Sequence, residues 1–182
     1  MDGLTLLQNR ATPARLATPA PSAEELDRIL AAAVRAPDHG RLRPWRFIVV
    51  AGEARERLGD LMVRRLKETQ PEIPEAVADR EREKPLRAPL IVVVAAKVQP
   101  GKIPVIEQQI AAGAAAQNIQ LAAHALGYGV MWKTGWPAYD SGIKAAFGLG
   151  EEDSIIAFLY VGTIAMPAKN NAAEAAPYVS HW

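Results

Sequence analysis

Hydrophobic positions along this chain follow two rhythms, which predicts helices interleaved with buried strands. Leu4, Leu6 and Leu7 lie on or near one side of a short helix over residues 2–9. Prolines 13, 19 and 21 keep the following stretch out of helix. Ser22 with Glu25 three residues on is a capping box, and Leu26, Ile29, Leu30, Ala33 and Val34 then keep helical spacing as far as Ala36. A continuous apolar run over residues 47–51 reads as a strand closed by Gly52. Residues 53–70 form a long amphipathic helix with Leu58, Leu61, Met62 and Leu66 inward, and Pro71 and Pro74 interrupt it. Residues 75–84 are highly charged with few apolar anchors, which predicts a mobile surface helix.

The second half is more apolar. Leu90–Ala96 is apolar at every position, so the strand is buried on both faces and helices cover both sides of its sheet. Pro104 opens a helix that runs to about Leu126 and stops at Gly127, a C′ glycine. At 1.5 Å per residue it is roughly 33 Å long. Its middle, residues 111–116, is nearly all alanine and glycine, which allows close backbone approach; a central core helix in a monomer and a helix at a dimer interface both fit. Tyr128–Lys133 is a short strand, residues 134–137 a turn, and Ser141 caps a helix through Phe147. Residues 154–161 form the last strongly apolar strand. The tail from about residue 163 to Trp182 has anchors (Tyr178, Val179, Trp182) without periodicity, which predicts docking on another surface such as a partner subunit.

Length and charge limit the function classes. The 182 residues suit one domain spanning 1–182, and 49% hydrophobic with 23% charged residues is ordinary globular composition. A net charge of +1 predicts neither a nucleic-acid nor a membrane partner. The absence of cysteine excludes disulfides, thiolate metal sites and cysteine nucleophiles, and fits a cytoplasmic protein. No signal peptide is visible, and polar groups at Gln117, Asn118, Gln120 and His124 argue against a membrane span.

Several familiar motifs fail. No Gly-x-Gly-x-x-Gly follows a strand. Residues 127–134 resemble a phosphate loop but carry Trp132 where the second glycine belongs. Ser141-x-x-Lys144 and Lys133-Thr134-Gly135 match two penicillin-binding fragments in the wrong order. His39, His124 and His181 have no carboxylates at metal spacing, and His124 reads as a packed core histidine.

Three cationic clusters remain: residues 10–15, residues 35–43, and Trp132-Lys133. Each lies where a regular element meets a loop, and arginine forks match phosphate oxygens. The segment 35–47 holds four arginines, a histidine and an aspartate together with Pro37 and Pro44, so it should be a fixed, donor-rich loop between a helix and a buried strand. Plainer readings stand beside these. Arg35 can complement a helix dipole, His39 can be a solvated loop histidine, and Trp45 and Trp132 can be core residues.

A set of short matches runs in order along almost the whole length. It comprises Asn9-Arg10, Thr12, Arg15-Leu16, Arg35-Ala36-Pro37-Asp38-His39, Pro44-Trp45-x-Phe47, Arg87-Ala88-Pro89-Leu90-Ile91, Gly127-Tyr128-Gly129 with Trp132-Lys133, and the run from Phe158 to Gly162. On these residues the chain resembles the nitroreductase family of flavin enzymes, in its compact YdjA-like branch. The resemblance implies an α+β fold, a central mixed sheet flanked by helices, and an intertwined homodimer. It implies FMN as cofactor in two interfacial sites, NAD(P)H as co-substrate, and a small acceptor such as a nitroaromatic or quinone in ping-pong order. Carried over by position, Arg10, Ala11, Thr12, Met131, Trp132 and Lys133 of one subunit hold FMN, with Arg35 and His39 of the partner subunit. No side chain is assigned as general acid or base, because the chemistry belongs to the cofactor. Two departures stand out. Many relatives have two arginines and a serine where this chain has Arg10-Ala11-Thr12, so Ala11 contributes backbone alone. Arg41 and Arg43 replace an asparagine and a glutamine. A flavin-handling dimer without pyridine-nucleotide turnover is the alternative these departures leave open, and a binding protein for another phosphorylated ligand is a third reading.

Overall fold

A computed structural model describes residues 2–168 and 173–182. In chain order its elements are α1 (Gly3–Asn9), β1 (Arg15–Ala17), α2 (Ala23–Ala33), β2 (Trp45–Ala51), α3 (Ala54–Thr69) and α4 (Glu75–Glu83). They continue with β3 (Leu90–Ala96), α5 (Val105–Ala125), β4 (Tyr128–Lys133), α6 (Ser141–Ala146) and β5 (Ser154–Met166).

The long strand β5 organises the sheet. One of its edges carries β4, from Tyr128 opposite Thr163 to Lys133 opposite Phe158. Its other edge carries β3, from Leu90 opposite Val161 to Ala96 opposite Ser154, and beyond it β1, with Ala17 opposite Thr163. β2 pairs with the outer side of β3. The sheet is thus four strands wide, in the order β2, β3, β5, β4. Its pairings among the described residues are all antiparallel, which corrects the expected mixed sheet. The reason lies in the connections. β3 and β4 do run parallel, joined by the α5 crossover, but β5 inserts between them. β2 and β3 are joined by the α3–α4 pair, which returns the chain to the end where it left, Ala51 opposite Leu90.

The α+β architecture appears as expected, with helices on both faces. All seven residues of β3 are buried. Val92 and Val94 meet α2 and α5 through Ile29, Ala112, Ala116 and Ile119, while Ile91 and Val93 meet α3 and α6 through Leu58, Met62 and Ile143. A two-residue side-chain period delivers alternate valines to two cores. Ala111, Ala112, Ala115 and Ala116 of α5 are buried within the chain, which favours the core reading of that stretch. The large apolar groups α5 leaves exposed are Val105, Ile106 and Ile110 near its start.

Other expectations need correction. β1 is a strand within a segment expected only to avoid helix, and β5 runs on to Met166, five residues past the expected end of the strand, because β1 pairs with its end. Residues 169–172 of that tail lie outside the described residues. α4 is anchored, not free: Ala78 and Glu81 are buried, and a Cβ on Gly59 of α3 would stand 2.3 Å from the Arg82 carbonyl oxygen. His124 is only half-buried.

The cap of α6 is Asp140, not Ser141. Its Oδ1 accepts the Ile143 N–H at 2.8 Å and the Arg65 Nε–H at 2.9 Å, which places a charged acceptor one residue before the serine. Burial pushes the Asp140 carboxyl up, but the Arg65 and Ile143 hydrogen bonds outweigh it and hold the group below its ordinary value. A depressed folded value means that its stabilisation is present above the ordinary carboxylate range and is lost as pH falls through the folded value. Asp140→Ala should therefore lower the melting temperature at pH 7 by about 2–6 °C, from a cap contribution of about 0.5–2 kcal/mol. The difference from wild type should shrink in acid below the carboxylate range. An undiminished difference there would show that the charge of Asp140 is irrelevant.

Candidate functional site

Two cationic half-sites stand at opposite edges of the sheet. The first precedes β2. After α2 the chain passes Pro37, and Asp38 fixes the loop: its carboxylate accepts the Arg43 N–H at 2.7 Å and its carbonyl accepts the Arg41 N–H at 3.3 Å. Gln99 donates to the Leu42 carbonyl at 2.5 Å, and Pro44 is fully buried. The loop is as fixed as its prolines predict. Gly40, Arg41 and Arg43 have φ of 69°, 55° and 49°. For the two arginines this left-handed geometry costs on the order of 1–3 kcal/mol each, which the Asp38 and Gln99 bonds help to offset. Arg35, Arg41 and Arg43 thereby surround a hollow of about 410 Å³ floored by Trp45. His39 points elsewhere, with Nδ1 2.5 Å from Oε2 of Glu107 on α5. The search for a carboxylate near His39 in sequence misses this partner, because Glu107 is 68 residues away.

The second half-site follows β4, on the far edge. Arg10 donates to the Thr12 hydroxyl at 3.4 Å, and Ala14 N–H bonds the Met166 carbonyl at 2.9 Å. Gly129 makes the approach possible: a Cβ there would come within 2.7 to 2.9 Å of Leu16, Pro13 and Ile164. Residues 10–16 are therefore pressed along the start of β4 and the end of β5. Strand alternation then divides the expected trio 131–133. Met131 and Lys133 face a cleft of about 700 Å³, while Trp132 faces the opposite side and packs against the α2–α5 core. The cleft brings together Met131 and Lys133 with Arg15, Arg87, Trp136 and Tyr160. Arg10, Ala11 and Thr12 are not in its wall but lie just before Ala14 and Arg15, which are.

Sequence reasoning placed Arg15 in a cationic cluster without assigning it a role, and singled out neither Arg87, Trp136 nor Tyr160 as site residues. Signals existed for Arg15 and Arg87, which sit inside matched motifs, and the two-residue period of β5 puts Phe158 and Tyr160 on one face. β2 and β4 are three strand spacings apart, about 14 Å, so Arg35 and His39 do not join Met131 and Lys133 within one chain. Among the described residues, no group of three or more His, Asp or Glu could hold a metal ion, and no helix is long and apolar enough to cross a membrane.

Comparison with known proteins gives a consistent picture. The model of the nitroreductase family matches residues 10–163. The chain is 40% identical over 185 residues to YdjA of Escherichia coli (strain K12), provisionally named an NAD(P)H nitroreductase, with 100% of each chain covered. A crystal structure of a nitroreductase-like family protein from Bacillus cereus superposes with a TM-score of 0.85 at 24% identity, covering 100% of this chain and 96% of that one. A structure from Desulfovibrio desulfuricans, described as a nitroreductase in complex with FMN, gives a TM-score of 0.77 at 23% identity over 98% and 95% of the two chains. With the family model spanning most of its length and a full-length relative at 40% identity, the chain belongs to the nitroreductase family.

Proposed function

We propose that this protein is an FMN-dependent NAD(P)H oxidoreductase that works as a homodimer. The observation that carries the reading is the separation of its cations: Lys133 on the edge strand β4 with residues 10–15 packed across the end of β5, and Arg35 with Arg41 and Arg43 ahead of the other edge strand, β2. Set the width of the sheet apart and lining separate hollows, the two groups are better placed to meet across two chains than within one. The E. coli relative is named for NAD(P)H, and the Desulfovibrio structure holds FMN.

The residues fit the cofactor chemically. Arg10 and the Thr12 hydroxyl form a linked donor pair suited to a phosphate, with the Ala11 backbone between them. Met131, Trp132 and Lys133 lie on β4, an edge strand whose outer backbone groups are free to meet a planar ring. Arg35 and His39 of the partner subunit would close the site, and Glu107 would hold the His39 ring in place. Bound FMN would supply the hydride chemistry between NAD(P)H and a small acceptor such as a nitroaromatic or quinone, in ping-pong order. The chain itself positions the cofactor, lines the site with positive charge and excludes water; it needs no general acid or base.

Exposed apolar residues support the dimer. Leu4 and Leu7 of α1 are 69% and 54% exposed, and Ile106 and Ile110 of the neighbouring α5 are 58% and 62% exposed. In the tail, Tyr178 and Trp182 stand free of their own chain, as a segment that docks on a partner subunit would. With no cysteine to protect or to bridge, the protein suits the cytoplasm. Arg10→Ala should raise the FMN dissociation constant about tenfold or more through a lost charged hydrogen bond. Equilibrium titration of the flavin-free protein checks this, and an unchanged constant would remove Arg10 from the site.

A further inference from the structure

The cleft beside β4 contains a polar group that the flavin reading does not use. Tyr160 is 8% exposed, lines the cleft, and has no hydrogen-bond partner among the described residues. Burial pushes its phenol up to about 12, with the nearby positive charge of Arg87 pulling the other way. At neutral pH the hydroxyl is therefore a protonated donor.

Around it the cleft is apolar below and cationic at the rim. Register places Met131 beside Tyr160 and Lys133 beside Phe158, and Leu58 and Met62 of α3 complete the floor. Trp136 is fixed at one side by its indole N–H, which donates to Glu81 Oε2 at 3.0 Å. Lys84 also bonds Glu81, so that the one carboxylate at this side is already compensated. Arg15, Arg87 and Lys133 form no ion pair among the described residues. A largely buried tyrosine whose unpaired hydroxyl opens on the cleft, beside uncompensated guanidinium and ammonium groups over an apolar floor, suits one chemistry: a flat apolar ring bearing an anionic oxygen group.

We propose that this cleft binds an aromatic carboxylate, its acid group held by Arg87 and the Tyr160 hydroxyl and its ring resting among Met131, Trp136 and Met62. Because Met131 and Lys133 are shared with the proposed flavin site, the occupant is the electron acceptor; that role rests on the flavin reading, whereas the binding does not. It makes the preferred acceptor class anionic and aromatic.

The test is calorimetric titration of the oxidised protein, with no reductant, using 4-nitrobenzoate and its uncharged counterpart 4-nitrobenzamide. The FMN-loaded and flavin-free forms are both titrated. The carboxylate should bind the loaded form about tenfold or more tightly than the amide. Arg87→Gln should abolish that preference and Arg87→Lys should restore part of it. Tyr160→Phe should weaken the carboxylate severalfold, with flavin content, read by absorbance, unchanged in all three variants. Equal binding of the two compounds, a preference that survives Arg87→Gln, or displacement of FMN by 4-nitrobenzoate would each overturn the proposal, the last by showing that the cleft is the flavin's own site. If the protein takes up no FMN, the flavin reading fails by itself, and the flavin-free titration still decides the cleft.

Discussion

Gly59→Val should destabilise the protein by about 3 kcal/mol, with a fall in melting temperature of roughly 6–12 °C. At Gly59 a Cβ would stand 2.3 Å from the Arg82 carbonyl oxygen and 3.2 Å from its Cα. The obstacle is backbone, so no side chain can rotate away, and α4 must move off α3. That movement uncovers Ala78, which is fully buried, and disturbs Glu81, which ties α4 to Trp136. The effect should reach the cleft as well, since Leu58 and Met62 of α3 and Lys84 and Arg87 just past α4 all line it. Thermal unfolding followed by circular dichroism measures the first effect. A variant as stable as wild type would mean that the α3–α4 contact is looser than the structure shows.

Arg35→Glu should release FMN by two orders of magnitude or more in dissociation constant, although Arg35 is 25 positions from Arg10 and across the sheet from Lys133. The substitution removes one charged contact of about 1.5–3 kcal/mol and sets a carboxylate against an anionic cofactor. Arg35 is exposed and forms no ion pair among the described residues, so the fold should survive its loss. Mixing restores the argument in a sharper form. A heterodimer of Arg35→Glu with Arg10→Ala chains should recover one intact site of the two, because both damaged halves fall together in one site and the two sound halves meet in the other. Full flavin occupancy in the Arg35→Glu dimer, or no recovery in the heterodimer, would sink the shared site.

Much of this fold can be read from the chain because its signals are local. Seven consecutive apolar residues announced β3 and the two helical layers over it, the Ser22–Glu25 capping box formed with both of its hydrogen bonds, and Gly127 took the positive φ that ends α5. Tyr128–Lys133 matched its predicted bounds. What escaped depends on partners distant in sequence. β1 has three residues and exists only because β5 pairs with it, and β5 outlasts its apolar run for the same reason. The anchoring of α4 rests on Gly59, an isolated glycine inside a helix whose purpose shows only when the Arg82 backbone lies against it.

The same division runs through the candidate site. Arg10, Ala11, Thr12, Arg35, His39 and the segment 131–133 could be chosen by motif, and the fixed loop of residues 35–47 followed from its prolines. Their grouping could not be chosen that way. Whether Trp132 turns toward Met131's cleft or away from it depends on which face of β4 meets α5. The roles of Arg15, Arg87 and Tyr160 depend on a cavity assembled from α3, β4, β5 and the turn that carries Trp136. Residue type gave the chemistry, and only the packing of distant segments gave the address.

The decisive measurement is the visible spectrum of the FMN-loaded protein under anaerobic conditions, recorded before and after NADPH, then NADH, and again after a quinone or nitroaromatic. An oxidoreductase should show a bound-flavin spectrum that one of the two nucleotides bleaches and the acceptor restores. Bound flavin that neither nucleotide bleaches would contradict the proposed reaction and leave a flavin-handling dimer, and a protein that binds no flavin would assign its arginines to another ligand.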